Sequence, residues 1–138
     1  MHSDVVARGL RALIVEDEIL IAEELSERLS SLGFSVIDAV DSADEGIAIA
    51  TKERPDLVLM DIRLKGEKDG VQAAAEIRQQ VDVPIVYLTA YSDRRTVDRA
   101  KRTEHDGFIL KPFHRSELQT TLEVAMQRHA LRAQAKKE

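Results

Sequence analysis

The stretch Asp56-Leu57-Val58-Leu59-Met60-Asp61 sets four apolar side chains in one unbroken run between two carboxylates. A run of that length with no polar alternation reads as a strand buried on both faces, the pattern of a parallel sheet covered by helices. Asp61 then stands where the strand emerges, a poor place for a lone charge. Two further runs end the same way: Ala12-Leu13-Ile14-Val15 delivers Glu16 and Asp17, and Phe108-Ile109-Leu110 delivers Lys111. A fourth, Ile85-Val86-Tyr87-Leu88, delivers Thr89.

Between these runs lie longer segments of helical period, and the alternation makes five strand-helix units. The first strand, near Arg11 to Val15, leads into a helix expected from about Asp17 to Leu32. Its apolar stripe is Ala22, Leu25, Leu29 and Leu32, and Gly33 follows as a left-handed C-cap. Phe34 to Val40 is the second strand, and Ser42-Ala43-Asp44-Glu45 has the spacing of a capping box opening a helix that ends before Pro55. After Asp61, Lys65 to Gly70 reads as a polar turn into a third helix through Val71, Ala74, Ala75 and Ile77. Pro84 introduces the fourth strand. A short, weakly amphipathic fourth helix is expected over Ser92 to Thr103, and a fifth after Pro112 through Leu118, Leu122, Ala125 and His129, as far as Ala133. Residues 1–9 read as a leader, 10–132 as one domain, and 133–138 as a tail or an extension of the last helix.

Composition agrees with one soluble, helix-rich globular domain. The chain has 138 residues, 43% hydrophobic and 33% charged, with six Gly and three Pro. It has no cysteine, which excludes disulfides and thiolate metal sites. No apolar run approaches the roughly 20 residues that span a bilayer, and the first nine residues lack the apolar stretch of a secretion signal. The expectation is a cytoplasmic protein with no membrane partner. A net charge of -5 and a pI near 5.4 give no electrostatic pull toward nucleic acid.

Doubly wound sheets carry their ligand sites outside the carboxyl ends of the strands, where Glu16, Asp17, Asp61, Thr89 and Lys111 all fall. Three carboxylates brought together repel one another unless protons or a cation intervene. Magnesium suits the donor set: it takes oxygen ligands, keeps several waters and bridges carboxylates to phosphate. Thr89 offers a hydroxyl and Lys111 a positive charge for the remaining phosphoryl oxygens. Asp61 is then the nucleophile of an acyl-phosphate reaction. Taken singly, each residue has a blander reading. Asp61 would be a turn or cap, Glu16 and Asp17 would favour a helix N-terminus, Thr89 would be a β-former, Lys111 a solvated strand end and Phe108 core. None of these explains the convergence at one edge.

Val15-Glu16-Asp17-Glu18, Leu59-Met60-Asp61, Leu88-Thr89-Ala90 and Leu110-Lys111-Pro112-Phe113 resemble, in order and spacing, the motifs of response-regulator receiver domains of two-component signalling. The resemblance covers about Leu10 to Met126. It implies a flavodoxin-like sheet of order 2-1-3-4-5 with helices on both faces. It implies that Asp61 is the phosphoacceptor, fed by a histidine kinase or histidine phosphotransfer protein. Magnesium, or manganese in its place, is implied at Glu16, Asp17, Asp61 and the Arg63 carbonyl. Thr89 resembles the switch hydroxyl, Lys111 its ion-pair partner and Phe108 the aromatic switch, with a cis bond before Pro112. Arg63 and Tyr91 stand at the places where the family tunes phosphoryl lifetime. Here both are bulky.

The turn after the acceptor looks about one residue longer than usual, and Phe108 lacks the hydroxyl of the Tyr often found there. The resemblance further implies a downstream protein target or a homodimer through the surface of the fourth helix, fifth strand and fifth helix. That fourth-helix segment holds Arg94, Arg95, Arg99, Lys101 and Arg102 against Asp93 and Asp98. The four His residues are scattered and read as surface or packing residues. The expectation is a stand-alone switch without an output domain, with no enzyme activity beyond phosphotransfer to itself and its reversal. One alternative is a degenerate receiver serving as a constitutive interaction module, which would typically lose Asp61 or Lys111. The other is a small flavodoxin-like enzyme or cofactor binder. That reading lacks its phosphate-cradling loop, since Glu16-Asp17-Glu18 stands in its place. A dehalogenase-like phosphatase would want an Asp where Arg63 stands.

Overall fold

The computed structural model describes residues 8–90, 94–102 and 105–137. Five strands form one parallel sheet in the order β2-β1-β3-β4-β5. They are β1 (Arg11–Val15), β2 (Ser35–Val40), β3 (Leu57–Asp61), β4 (Ile85–Ala90) and β5 (Gly107–Lys111). The helices are α1 (Ile19–Ser31), α2 (Ala43–Glu53), α3 (Gly70–Gln80), α4 (Arg94–Lys101) and α5 (Arg115–Lys137).

Two apolar layers sandwich the sheet. Leu25 and Leu29 of α1 and Leu118, Leu122 and Ala125 of α5 pack on Ala12, Ile14, Leu57, Leu59, Val86 and Leu88. Across the sheet, Ala43 and Ala50 of α2, Val71, Ala73, Ala74 and Ile77 of α3 and Ala100 of α4 pack on Leu13, Val15, Val58, Met60, Ile85 and Tyr87. All five residues of β3 are buried, which is why its sequence does not alternate. The edge strand β2 alternates only loosely and is bulged against β1 between Ala12 and Leu13.

Element ends differ from the sequence reading for identifiable reasons. Helix α1 starts two residues later than expected, because Glu18 keeps an extended backbone as N-cap and leaves Glu16 and Asp17 at the strand end. Strand β2 starts at Ser35 because the Phe34 amide is spent on the Leu29 carbonyl (3.0 Å). Together with Gly33 N to Ser30 O (3.1 Å) and a Gly33 φ of 100°, this is a Schellman ending. In α3 the buried residue is Ala73, not Ala75, which is exposed. Ala73 and Ile77, four apart, share the inward face, and Ala75 points the other way. Helix α5 runs on to Lys137, past Ala133, so of the two expectations for this end, tail or extension, 133–137 is the extension. The expected span of the fourth helix, 92–103, is helix over Arg94–Lys101; 92, 93 and 103 lie outside the described residues. Among the described residues no helix is long and apolar enough to cross a membrane.

Candidate functional site

Strand register builds the site. Val15 pairs with Met60, Asp61 with Leu88, and Ala90 with Lys111, so the residues that end β1, β3, β4 and β5 come out at one edge. Glu16, Asp61 and Thr89 are buried there, at 2%, 3% and 3% exposure. The Lys111 ammonium lies 2.5 Å from Glu16 Oε1 and 3.2 Å from Asp61 Oδ2, with Glu18 Oε1 at 3.9 Å. Backbone amides hold the two acids in place: Glu18 N donates to Glu16 Oε2 (3.1 Å) and Arg63 N to Asp61 Oδ1 (3.0 Å).

One ammonium cannot neutralise this group. Burial pushes the Asp61 carboxyl up, and the Glu16 carboxylate against it pushes further, to about 8, with Lys111 only partly opposing. Burial also raises Glu16, but hydrogen bonds from Asp61, Lys111 and the Glu18 amide overcome it and hold Glu16 below its ordinary value. Lys111 is lowered by burial and raised more by its two carboxylates, so it stays charged. A proton on Asp61, donated to Glu16, therefore relieves the repulsion when no other cation does.

Glu16, Asp17 and Asp61 each place a carboxylate oxygen within 4.8 Å of the others. Magnesium, bound at about 2.0 to 2.1 Å, sets opposite ligands about 4.2 Å apart, so this all-oxygen set fits a hard divalent ion. Among the described residues no other trio of acids, His or Cys is so placed. Beside it opens a cleft of about 380 Å³ lined by Asp17, Arg63, Lys65, Asp69 and Thr96 among others.

The remaining predicted residues that the structure describes are Thr89, Phe108, Pro112 and Arg63. The Thr89 hydroxyl donates to the Ala90 carbonyl at 3.3 Å and makes no bond to Asp61. Phe108 is half-buried, its ring 4.5 Å from His105 and 5.6 Å from Tyr87 by centroids. The Lys111-Pro112 peptide is cis. Arg63 presents its amide to Asp61, and its side chain is exposed. Tyr91 lies outside the described residues.

Two neighbours escaped the sequence reading. Gly70, placed in a turn, is the first residue of α3, and its amide donates to the Ile62 carbonyl at 2.7 Å. A Cβ there would lie 2.0 Å from the carbonyl oxygen of Asp61, so only glycine lets α3 start this close to the Asp61 peptide. Asp69 is the N-cap of α3 in a reciprocal capping box with Gln72. The Asp-x-x-Gln spacing was the available signal.

Comparison with known proteins agrees with this geometry. The family model described as the response regulator receiver domain matches residues 12–123. The chain is 38% identical over 118 residues to the transcriptional regulatory protein PdtaR of Mycobacterium tuberculosis, covering 86% of this chain and 57% of that protein. It is 35% identical over 118 residues to the KDP operon regulator KdpE of Escherichia coli, covering 86% and 52%. The chain thus spans about half the length of these curated relatives. Among solved structures, the signal receiver domain of a modulated diguanylate cyclase from Desulfovibrio desulfuricans G20 superposes with a TM-score of 0.83 at 36% identity, covering 90% of this chain and 98% of that one. The response regulator PhyR from Brucella abortus gives 0.83 at 28% identity, covering 96% and 54%. The chain belongs to the response regulator receiver domain family of two-component signalling.

Proposed function

We propose that this chain is a phosphorylation-dependent switch whose phosphoacceptor is Asp61. The observation that carries the reading is a buried carboxylate held between Glu16 and Lys111 at the carboxyl edge of the sheet. An Asp61 oxygen attacks phosphorus in line, forming an acyl phosphate. The bond from phosphorus to the imidazole nitrogen of a histidine kinase or phosphotransfer protein breaks, and that nitrogen keeps the electron pair and takes a proton. The Arg63 amide fixes one Asp61 oxygen, leaving the other for attack. Lys111 remains charged and shifts from the two carboxylates to the new phosphoryl oxygens. Glu16, Asp17, Asp61 and the Arg63 carbonyl would hold Mg2+, or Mn2+, which supplies charge neutralisation on the transferring group.

Thr89 and Phe108 carry the response. In the unmodified protein the Thr89 hydroxyl is spent on a long local bond, so it is available to a phosphoryl oxygen. Charge-assisted bonds from Thr89 and Lys111 contribute roughly 1.5 to 3 kcal/mol each, together about 3 to 6, whose upper end reaches the roughly 5.5 that inverts a 1:99 equilibrium. Phe108, with no phenol, switches by packing against Tyr87 and His105. The surface that changes is α4-β5-α5, which offers exposed Leu110 and the exposed cations of α4 to a downstream protein or a second copy. Arg63 and Tyr91 hinder the attacking water and lengthen the phosphoryl lifetime. Equal rates of phosphate loss from the wild type and the Arg63→Asn, Tyr91→Glu variant would contradict that. The switch itself is tested by incubation with acetyl phosphate and magnesium. Wild type gains about 80 Da and Asp61→Asn gains nothing, as expected for a single carboxylate nucleophile. No gain in wild type under any small phosphodonor overturns the reading.

A further inference from the structure

Asp69 stands between the acceptor loop and α4. Its Oδ1 accepts the Gln72 amide (3.0 Å), Gln72 Oε1 accepts the Asp69 amide (2.9 Å), and its other oxygen, Oδ2, is paired with the Arg99 guanidinium of α4. One residue on, Gly70 is in contact with the acceptor's own peptide, with no room for a Cβ between them. Thr96, three residues before Arg99 and on the same helix face, lines the cleft beside the acceptor together with Asp17, Arg63 and Asp69. On the far side of the turn, Lys68 is tied to Glu76 at 2.9 Å and Asp44 at 3.3 Å. The turn after Asp61 is therefore pinned to α2 and α3 on one side and to α4 on the other.

We propose that the Asp69-Arg99 pair is a latch that couples α4 to the acceptor loop, a route separate from Thr89 and Phe108. The proposal rests on the reading of Asp61 as phosphoacceptor. Asp69 is joined to Gly70, which lies against the Asp61 peptide and donates its amide to the Ile62 carbonyl at 2.7 Å, so a shift of Asp69 is passed to the acceptor loop. A phosphoryl group on Asp61 brings about 1.5 to 2 negative charges to the neighbouring cleft, where it competes with Asp69 for the guanidinium. Arg99 is thus a positioning residue, held against Asp69 in the unmodified protein and drawn off Asp69 in the modified one, so that α4 shifts with it.

A double-mutant cycle with Arg99→Ala and Asp69→Asn tests the latch, because Asn keeps the cap acceptor while losing the charge. Two readouts are taken on the folded full chain: hydrogen exchange of the α4 amides without phosphodonor, and the initial rate of mass gain with acetyl phosphate and magnesium. Each single variant is expected to raise both by about two- to fivefold, the range of an exposed ion pair, and the double variant to add nothing more. Arg99→Lys should recover part of the effect. Unchanged exchange and rate, or additive effects in the double variant, would overturn the latch. A change in exchange with no change in labelling rate would reduce the pair to a structural contact and equally overturn the coupling. If wild type gains no mass at all, the phosphoacceptor reading falls, and with it the coupling. The exchange cycle still decides whether the pair holds α4.

Discussion

Two aspartates are buried among the described residues, one at each end of the sheet, and they keep opposite company. Asp106, just before β5 at the amino edge, is 1% exposed. It accepts the Ile85 amide at 2.9 Å, faces the Arg78 guanidinium at 3.6 Å and is paired with Arg132 of α5. Asp61, at the carboxyl edge and 3% exposed, faces Glu16 and Asp17 and shares Lys111 with Glu16. The first carboxylate is fully compensated and holds α3, β4 and α5 together. The second is left short of positive charge, which is the imbalance the proposed cation and phosphoryl chemistry requires. Burial alone does not distinguish structure from function. The sign of the neighbours does.

Breaking the satisfied site should have the largest effect. Asp106→Ala strands the Arg78 guanidinium and the Ile85 amide and leaves the part-exposed Arg132 to water, and should cost about 3 kcal/mol in urea denaturation. A loss under about 1 kcal/mol would mean that the cluster is not a keystone. Gly70→Ala comes next. The new methyl must displace α3 or the Asp61 carbonyl, at about 1 to 3 kcal/mol, with slower labelling by acetyl phosphate as a second readout.

At the other end the effect should reverse in sign. The Asp61 carboxyl, at 3.8 unfolded and about 8 folded, binds its proton more tightly in the folded state. The metal-free protein therefore loses stability as pH rises from 3.8 toward about 8. Asp61→Asn removes that loss and should be the more stable protein at pH 8 without metal, by about 1 to 2 kcal/mol. Thermal melts across pH should show the gap opening through this window, and magnesium should narrow it by raising wild type alone. A variant less stable than wild type would contradict the charge deficit. His105 gives the smallest change. Burial depresses its pKa below 6.5, so its contribution is present above 6.5 and is lost as pH falls through the folded value. His105→Phe should flatten the acid limb of the same melts.

The same contrast separates what was legible in the sequence from what was not. Glu16, Asp17, Asp61, Thr89 and Lys111 were readable because each interrupts an apolar run at its carboxyl end, and a parallel sheet must gather such ends at one edge. Their order along the sheet came from the resemblance to receiver domains, not from the runs themselves. Asp106 was not readable: its partners Arg78 and Arg132 lie 28 and 26 positions away, and nothing local marks them. Ala75 stood in the expected stripe in place of Ala73 because three consecutive alanines carry no contrast of size or polarity to mark the inward face, even with Ile77 as a fixed point. Gly70 was hidden for a different reason. Its role is the absence of a side chain against a peptide nine residues away, a steric fact without a sequence pattern.

The two aspartates also frame the most direct test. After reaction with acetyl phosphate and magnesium, proteolysis and tandem mass spectrometry should locate the added ~80 Da on the peptide containing Asp61, and chelation of magnesium should abolish it. An adduct on any other residue, or one that persists in Asp61→Asn, would contradict the account.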